Sequence, residues 1–592
     1  MSIKNILYTT LVVFLLIVMF SAVLSNSGND SKTYKDELVI HTLSDAQGLN
    51  PVTISDATSR RYVMPNIMQS MLYFDLKTMV LKPVLAKSMP EVKEVGDLME
   101  ITYEIRPEAT WDNGKPVTVD DVLFSYKSIL CPKVNSDNVK SSVDYVVDIK
   151  TYPDNPRKYT VICEKNIGAV EGTGYEVVIL PEYVYDTKGL LKKYTISELT
   201  VENPKCADDK NVKEFADFFN SQQTLRDPAF VQGSGAYVLK SWETGQQLTL
   251  ERKKNWWGDK INKENIFFEA YPKRLVFVTI NNFTTALTAL KNEKLDFIFV
   301  TPVKDYIDLD NSPKFKKNFY KAEPDQLAYQ AIGINHKDKI LSDVKVRQAL
   351  CYLIDVDQII EKVIYNKGIR TNSAILPMKK DIINPAIKPF PFDINKAKSL
   401  LTEAGWKDSD GDGILDKVIE GKKTNLEITY NYNSGNSLRE MVGLLMQRTF
   451  QQVGIEFTIK SLEWSLYLDE LKKHKCQLWY QGWVTSPGLD DNKQLFHTSA
   501  ANGGSNYMSF GNAKTDKILD EIRVEFDVNK RKELYYKWQE IEHEQIPYIY
   551  LYVQKYRNCI HNRFENINAG PSAYPGVWFA GFKVKKGYKV EN

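Results

Sequence analysis

Asp408, Asp410 and Asp412 alternate ahead of Gly413 in "DSDGDGILD", and Asp416 closes the run. Alternate acids on a loop that turns at glycine can converge on Ca²⁺, which takes roughly six to eight oxygen ligands. The twelfth loop position is Ile419 rather than the glutamate of an EF-hand, so the run reads as a solvated acidic turn or a calcium loop, and no cofactor is required. A second stretch, "QGWVTSPGLDDN" (481–492), gathers Trp483, Ser486, Asp490 and Asp491 into a turn-rich segment behind the apolar "QLWY". That mixture could floor a catalytic pocket, hold a metal, or grip a ligand without changing it.

Catalysis needs a base and a group for it to activate. The histidines, at 41, 336, 474, 497, 543 and 561, are scattered. "HEQIP" lacks the second histidine of a zinc-protease helix, "GGSNY" has Asn506 where a nucleophile elbow ends in glycine, and Gly421-Lys422 lacks the upstream glycine of a phosphate loop. "GTGYEV" and "GSGAYV" each lack the third glycine of a dinucleotide fingerprint. An enzyme is not expected.

The elements that position these residues need more than one core, because 592 residues exceed what a single core organises, and two or three domains follow. A net charge of +2, from 77 basic and 75 acidic residues, leaves no surplus for a phosphate backbone, so nucleic acid is not an expected partner. Lys4 precedes an uncharged run from Ile6 to Leu24, close to the length that spans a bilayer, and the polar "SNSGNDSKTYKD" follows. Residues 1–25 read as a cleaved signal peptide or an uncleaved membrane anchor and 26–36 as a linker, with no cysteine there to carry lipid. The six cysteines contain no C-x-x-C and read as mostly buried thiols.

Strands are expected at "LVIHTL" and "LMEITYEIRPEATW", and a helix at "VLFSYKSIL" behind the capping pair Thr118 and Asp121. From about 132 to 225 the pattern is irregular. Beyond it, two strands flank the "ETGQ" turn, and "RLVFVTI", "FTTALTALKNEK" and "LDFIFV" give strand, helix and strand with a parallel pairing. The same order recurs at "LEITYNYN", "SLREMVGLLMQRTFQQV" and "IEFTIKSLEW", with Gly454 as the helix stop. Further helices are expected at "SDVKVRQALCYLIDVDQIIEKVI", "INKAKSLLTEAGW" and "TDKILDEIRVEF".

Several segments together resemble the extracytoplasmic solute-binding proteins of ABC transporters, in the oligopeptide- and dipeptide-binding family. They are "KPVLAKSMPEV", "YEIRPEATWDNGKPVTVDDVLFSY", "GSGAYVLKSWETGQQLTLERKKNWWG", "LSDVKVRQALCYLIDVDQII", "FDINKAKSLLTEAGWKDSDGDGILDK" and "GSNYMSF". The resemblance runs from about Glu37 to Phe564. It implies an α/β, bilobal periplasmic-binding-protein-like fold of class II type, with a discontinuous first lobe and an inserted extra domain. Lobe one would take 37–57, 181–323 and 552–592, the insert 58–180 and lobe two 324–551.

The implied function is capture of oligopeptides or dipeptides between two closing lobes, for delivery to a membrane permease by an exported monomer. A non-peptide solute such as a metal chelate or glycoside is the alternative, and an exported enzyme without a recognised motif is the second. In peptide-binding members the loop after the Gly-Trp pair carries an aspartate that meets the ligand's amino group. The matching position here is Ser486, and Asp490 or Asp491 is the substitute carboxylate. Because strand carboxyl ends face the crevice in open α/β sheets, Trp483, Ser486 and Asp490 are expected there with Ser44 and Gln47. Asn506 and Tyr507 of "GSNY" are placed nearby by the resemblance.

Overall fold

A computed structural model describes residues 36–199, 204–261, 265–299, 301–502, 504–571 and 576–588. The N-terminal run expected to direct export lies outside the described residues. The strand Glu37–Thr42 is almost wholly buried, with the apolar Leu38, Val39 and Ile40 at its centre, as befits a central parallel strand. It sits inside a seven-stranded sheet whose order is Phe319–Ala322, Asn558–His561, Phe297–Ile298, Glu37–Thr42, Arg274–Thr279, Gln247–Arg252, Tyr237–Glu243. The helix Phe283–Lys291, capped by the Asn282 side chain, links two parallel strands as expected. Those strands do not touch: Glu37–Thr42 lies between them and pairs with both.

Asp296 locks this arrangement. It takes Arg563 in a two-point ion pair, with Nε to Oδ1 at 2.7 Å, and accepts the Val39 N–H at 2.9 Å. The returning C-terminal segment is thereby tied to the first strand.

The four-stranded antiparallel sheet, in order Glu91–Val95, Leu98–Glu104, Lys158–Glu164 and Val146–Thr151, occupies part of the segment read as irregular. Two of its strands are corrections to that reading, joined by the "YPDNPRK" turn. Their burial does not alternate, since Val146 and Ile149 are buried three apart and Tyr159, Thr160 and Val161 are buried in a row, and a register shift lies between Val146 and Asp148, so the period-2 signal is lost. The helix Val119–Leu130 packs beside this sheet. Asp121 accepts the Thr118 N–H at 2.9 Å and the Trp111 indole at 3.0 Å. The four-stranded and seven-stranded sheets share one continuous apolar core.

The six-stranded sheet has the order Gly368–Arg370, Tyr548–Lys555, Asp325–Ile334, Leu478–Val484, Glu427–Asn433, Glu456–Leu462. Here the second strand, helix, strand unit pairs directly and in parallel, with Ser437–Gln451 as the crossover and Gly454 at φ +79° beyond its end. The long helix expected from Ser342 is broken after Val344–Leu353. Ile354 is extended, and Asp355 caps a new turn by accepting the Gln358 N–H at 2.9 Å.

The chain passes between the two large sheets twice, at 323–324 and 556–557, and the crossings bond to each other through Tyr556 N–H to Pro324 O at 2.8 Å. The strand Tyr548–Lys555 belongs wholly to the six-stranded sheet, which moves the return point from 551 to beyond 555. All six cysteines are buried thiols. Among the described residues no helix is long and apolar enough to cross a membrane.

Candidate functional site

A cavity of about 390 Å³ lies where the two bodies face each other. One wall comes from segments 51–76 and 171–178, Phe267 and Trp578; the other is Val484, Thr485, Ser486 and Pro487. The second wall is the carboxyl end of Leu478–Val484, held in place by the Thr485 N–H bonding to Leu327 O at 2.8 Å. Ser486 Oγ accepts the Gly488 N–H at 2.9 Å and donates to Glu171 on the opposite wall.

Glu171 is brought there by a tight turn. Thr173 Oγ1 bonds back to Ala169 O at 2.6 Å, and Tyr103 OH meets Thr173 Oγ1 at 2.9 Å. A Cβ at Gly172 would overlap Tyr145 and the Ser142 carbonyl, so the glycines of "GTGYEV" serve close packing rather than a dinucleotide. A Cβ at Gly488 would collide with Glu171 Oε2, so the carboxyl sits in a notch between Ser486 and Gly488.

Burial pushes the Glu171 carboxyl up to about 7; the Ser486 hydrogen bond and Lys379 pull it down, and Glu176 and Asp490 push it further up. Arg60 lies 3.7 Å from Glu176, whereas the exposed Arg61 makes no ion pair among the described residues. Rings line the same wall: Tyr73 lies 4.6 Å from Phe267 and 5.2 Å from Tyr175, and Phe267 lies 5.1 Å from Trp578. The cavity can therefore hold a molecule with an apolar body and charged ends.

Of the residues singled out by sequence, Ser486 lines this cavity. Trp483 stands beside it, donating to Tyr548 OH at 3.0 Å and stacking on Tyr507 at 6.2 Å. Asp490 is not a free carboxylate in the cleft. It is buried against Lys379 at 2.8 Å, because the loop folds inward at this point. Asp491 faces Arg523 at 2.9 Å.

Asn506 is also structural in its contacts. Fully buried, it donates to Phe510 O at 2.9 Å and His497 O at 3.1 Å and accepts the Phe510 N–H at 3.1 Å, which spends its polar atoms on the loop. Ser44 and Gln47 are exposed and do not line the cavity. Ser44 Oγ meets Thr58 Oγ1 at 3.3 Å, and the Gln47 N–H meets Ser59 Oγ at 3.2 Å, so their loop is turned onto the neighbouring helical turn. Sequence reasoning missed Arg60, Arg61, Tyr73, Glu171, Tyr175 and Glu176; "SRRY" and "EGTGYE" were the only signals.

At the acidic run, Asp408, Asp410 and Asp416 bring carboxylate oxygens within 4.8 Å of one another. Asp412 stands apart, accepting the Ile414 N–H at 2.8 Å. Lys423 pairs with Asp410 and lies 3.6 Å from Asp416, while Asp408 accepts the Gly411 and Gly413 N–H groups at 2.7 and 3.0 Å. An ammonium thus pairs with two of the three grouped carboxylates. Calcium is expected to leave solute affinity unchanged, since none of these residues lines the cavity; loss of solute binding on chelation, measured by calorimetry, would contradict this.

A sequence profile of bacterial extracellular solute-binding proteins, family 5 (middle region), matches residues 80–506. The oligopeptide-binding protein AppA of Bacillus subtilis is 26% identical over 575 residues, covering 93% of each chain. The structure of AppA in complex with a nonapeptide superposes with a TM-score of 0.68 at 23% identity, covering 93% of this chain and 99% of that one. NikZ from Campylobacter jejuni in complex with Ni(L-His) superposes at 0.69 with 22% identity, covering 93% and 99%. Two sheet domains joined by paired crossings, a cavity between them and a profile match over most of the length have one explanation: the chain belongs to family 5 of the bacterial extracellular solute-binding proteins.

Proposed function

We propose that the chain captures a peptide in the cavity between its two bodies and passes it unchanged to the membrane permease of an ABC transporter. The observation that carries this reading is a cavity with aromatic walls, a half-buried carboxyl at Glu171 and a guanidinium at Arg61 that makes no ion pair among the described residues, which suits a molecule bearing both an ammonium and a carboxylate. Its volume of about 390 Å³ stands near the lower end of the ~300–1,000 Å³ usual for ligand sites, which favours short peptides. The relatives named for oligopeptides and dipeptides support the same choice. The run Ile6–Leu24 would export the chain and either tether it or be removed.

Mass spectrometry of protein purified from its own cell under native conditions tests this. A short peptide is expected to co-purify and to be recovered intact after prolonged incubation. A metal chelate in its place would favour the alternative that NikZ illustrates, and its cleavage would make the protein an enzyme.

A further inference from the structure

The crossings at 323–324 and 556–557 link the two bodies covalently, and a second, non-covalent contact joins them through the inserted domain. Asn166 turns the chain there by accepting the Gly168 N–H at 2.8 Å and the Ala169 N–H at 3.0 Å, which presents Ile167. The Ile167 N–H donates to Arg523 O at 2.8 Å, a last-turn carbonyl of the helix Ala513–Val524, where a helix leaves its acceptors without partners of its own. Apolar side chains interlock across the same seam. Ile167 and Met79 of the insert pack against a core of the six-stranded body, and Phe526 of that body packs against the core of the first. Met79 stands in the turn between Leu72–Phe74 and Leu81–Pro83 at φ +57°, a left-handed conformation uncommon for a residue with a side chain, and its packing on the opposite body offsets that cost. Asp491, 2.9 Å from Arg523, fastens the helix end to the loop that carries Ser486. The Ile167 contact and the Ser486 bond to Glu171 therefore close together.

We infer that the inserted domain is a latch, in which Ile167 and Phe526 set the balance between closed and open forms from outside the solute site. None of Met79, Ile167, Arg523 and Phe526 lines the cavity, and all four are half-buried. A seam this small parts without unfolding either body, on the order of microseconds to milliseconds. Part of the free energy of closing then comes from contacts that never touch solute. Weakening the seam lowers the closed fraction and, by the same factor, the apparent affinity for whatever solute the cavity takes.

Paired spin labels on solute-free protein test this. Val147 on the insert and Leu444 on the six-stranded body are exposed, and the six native cysteines are buried thiols, so Val147→Cys and Leu444→Cys take the labels. Phe526→Ala and Ile167→Ala are each expected to move population to a longer distance, raising the open-to-closed ratio about tenfold, while Phe526→Leu stays close to wild type. Hydrogen exchange separates opening from unfolding. In Phe526→Ala the Ile167 amide is expected to exchange about tenfold faster, while the amide of Val161, buried on an inner strand of the four-stranded sheet, keeps its wild-type rate. Unchanged distances in both alanine variants, or Ile167 and Val161 exchanging together in the wild-type chain, would show a fixed seam and overturn the latch. Equal acceleration of both amides in Phe526→Ala would assign Phe526 to the stability of the fold and overturn it as well. The peptide reading is decided separately, by the solute that co-purifies.

Discussion

Asp490→Ala is expected to cost about 3–5 kcal/mol of folding stability, the range for removing one member of a buried ion pair. Lys379 and Asp490 are 5% and 4% exposed at the side chain and 2.8 Å apart. The ammonium also donates to Gly488 O at 2.8 Å, and the Asp490 carbonyl accepts the Tyr535 hydroxyl at 2.9 Å. Without the carboxylate, Lys379 keeps the Gly488 carbonyl as its hydrogen-bond partner among the described residues. Burial already pushes the Asp490 carboxyl above its ordinary value despite the attraction of Lys379, which shows how little solvation the site offers. Replacing both residues, with Lys379→Met and Asp490→Leu, should recover most of the loss because it removes both desolvation costs. Urea unfolding decides the matter: a drop under about 1 kcal/mol for Asp490→Ala would mean that the pair is solvated. Solute affinity should fall with stability in this variant, since the same loop carries Ser486.

Asp490 also shows where sequence reasoning stops. Its type and its place behind a strand were legible, and both suggested a charge offered to a ligand. Its partner was not, because Lys379 comes from a distant loop that only the folded six-stranded domain brings alongside. The strand, helix, strand units could be read because each is specified locally, by an apolar run, an Asn282 or Asn436 cap and a stop such as Gly454. What local patterns omit is order within a sheet: nothing near residue 280 says that Glu37–Thr42 will separate the strands that follow.

The cavity was harder still. Its wall is assembled from 51–76, 171–178 and Trp578, segments with no shared periodicity, and Glu171 meets Ser486 and Gly488 only across the gap. The strand-end rule placed Ser486 in the crevice, and Ser486 lines the cavity between the two bodies. It failed for Ser44 and Gln47 because their loop bonds to Thr58 and Ser59 instead of facing the gap.

Glu542→Gln is expected to flatten the pH dependence of stability between about pH 4.5 and 7. Glu542 is 1% exposed and lies on the helix Val528–Gln545, where it accepts from the Tyr550 hydroxyl, the Ser373 hydroxyl at 2.7 Å and the Ala374 N–H at 3.4 Å. Burial pushes its carboxyl from 4.5 up to about 7, with Asp490 adding to the rise and the three hydrogen bonds opposing it. A raised acid binds more protons folded than unfolded, so its contribution is fully present below about 4.5 and is lost as pH rises through about 7. The shift corresponds to about 3 kcal/mol at most. Glutamine keeps the shape, with its oxygen accepting from Tyr550 and Ala374 and its amide nitrogen donating to the Ser373 hydroxyl, and has no proton to lose. Other groups titrate in the same window, Glu171 among them with the same sign, so the informative quantity is the difference between wild type and variant. Melting at pH 5 and pH 8 should show the wild-type chain losing more stability on the alkaline side than Glu542→Gln does. Equal losses would mean that Glu542 is ionised in the folded protein throughout, and that its bonds to Tyr550 and Ser373 suffice to hold a bare charge in the core.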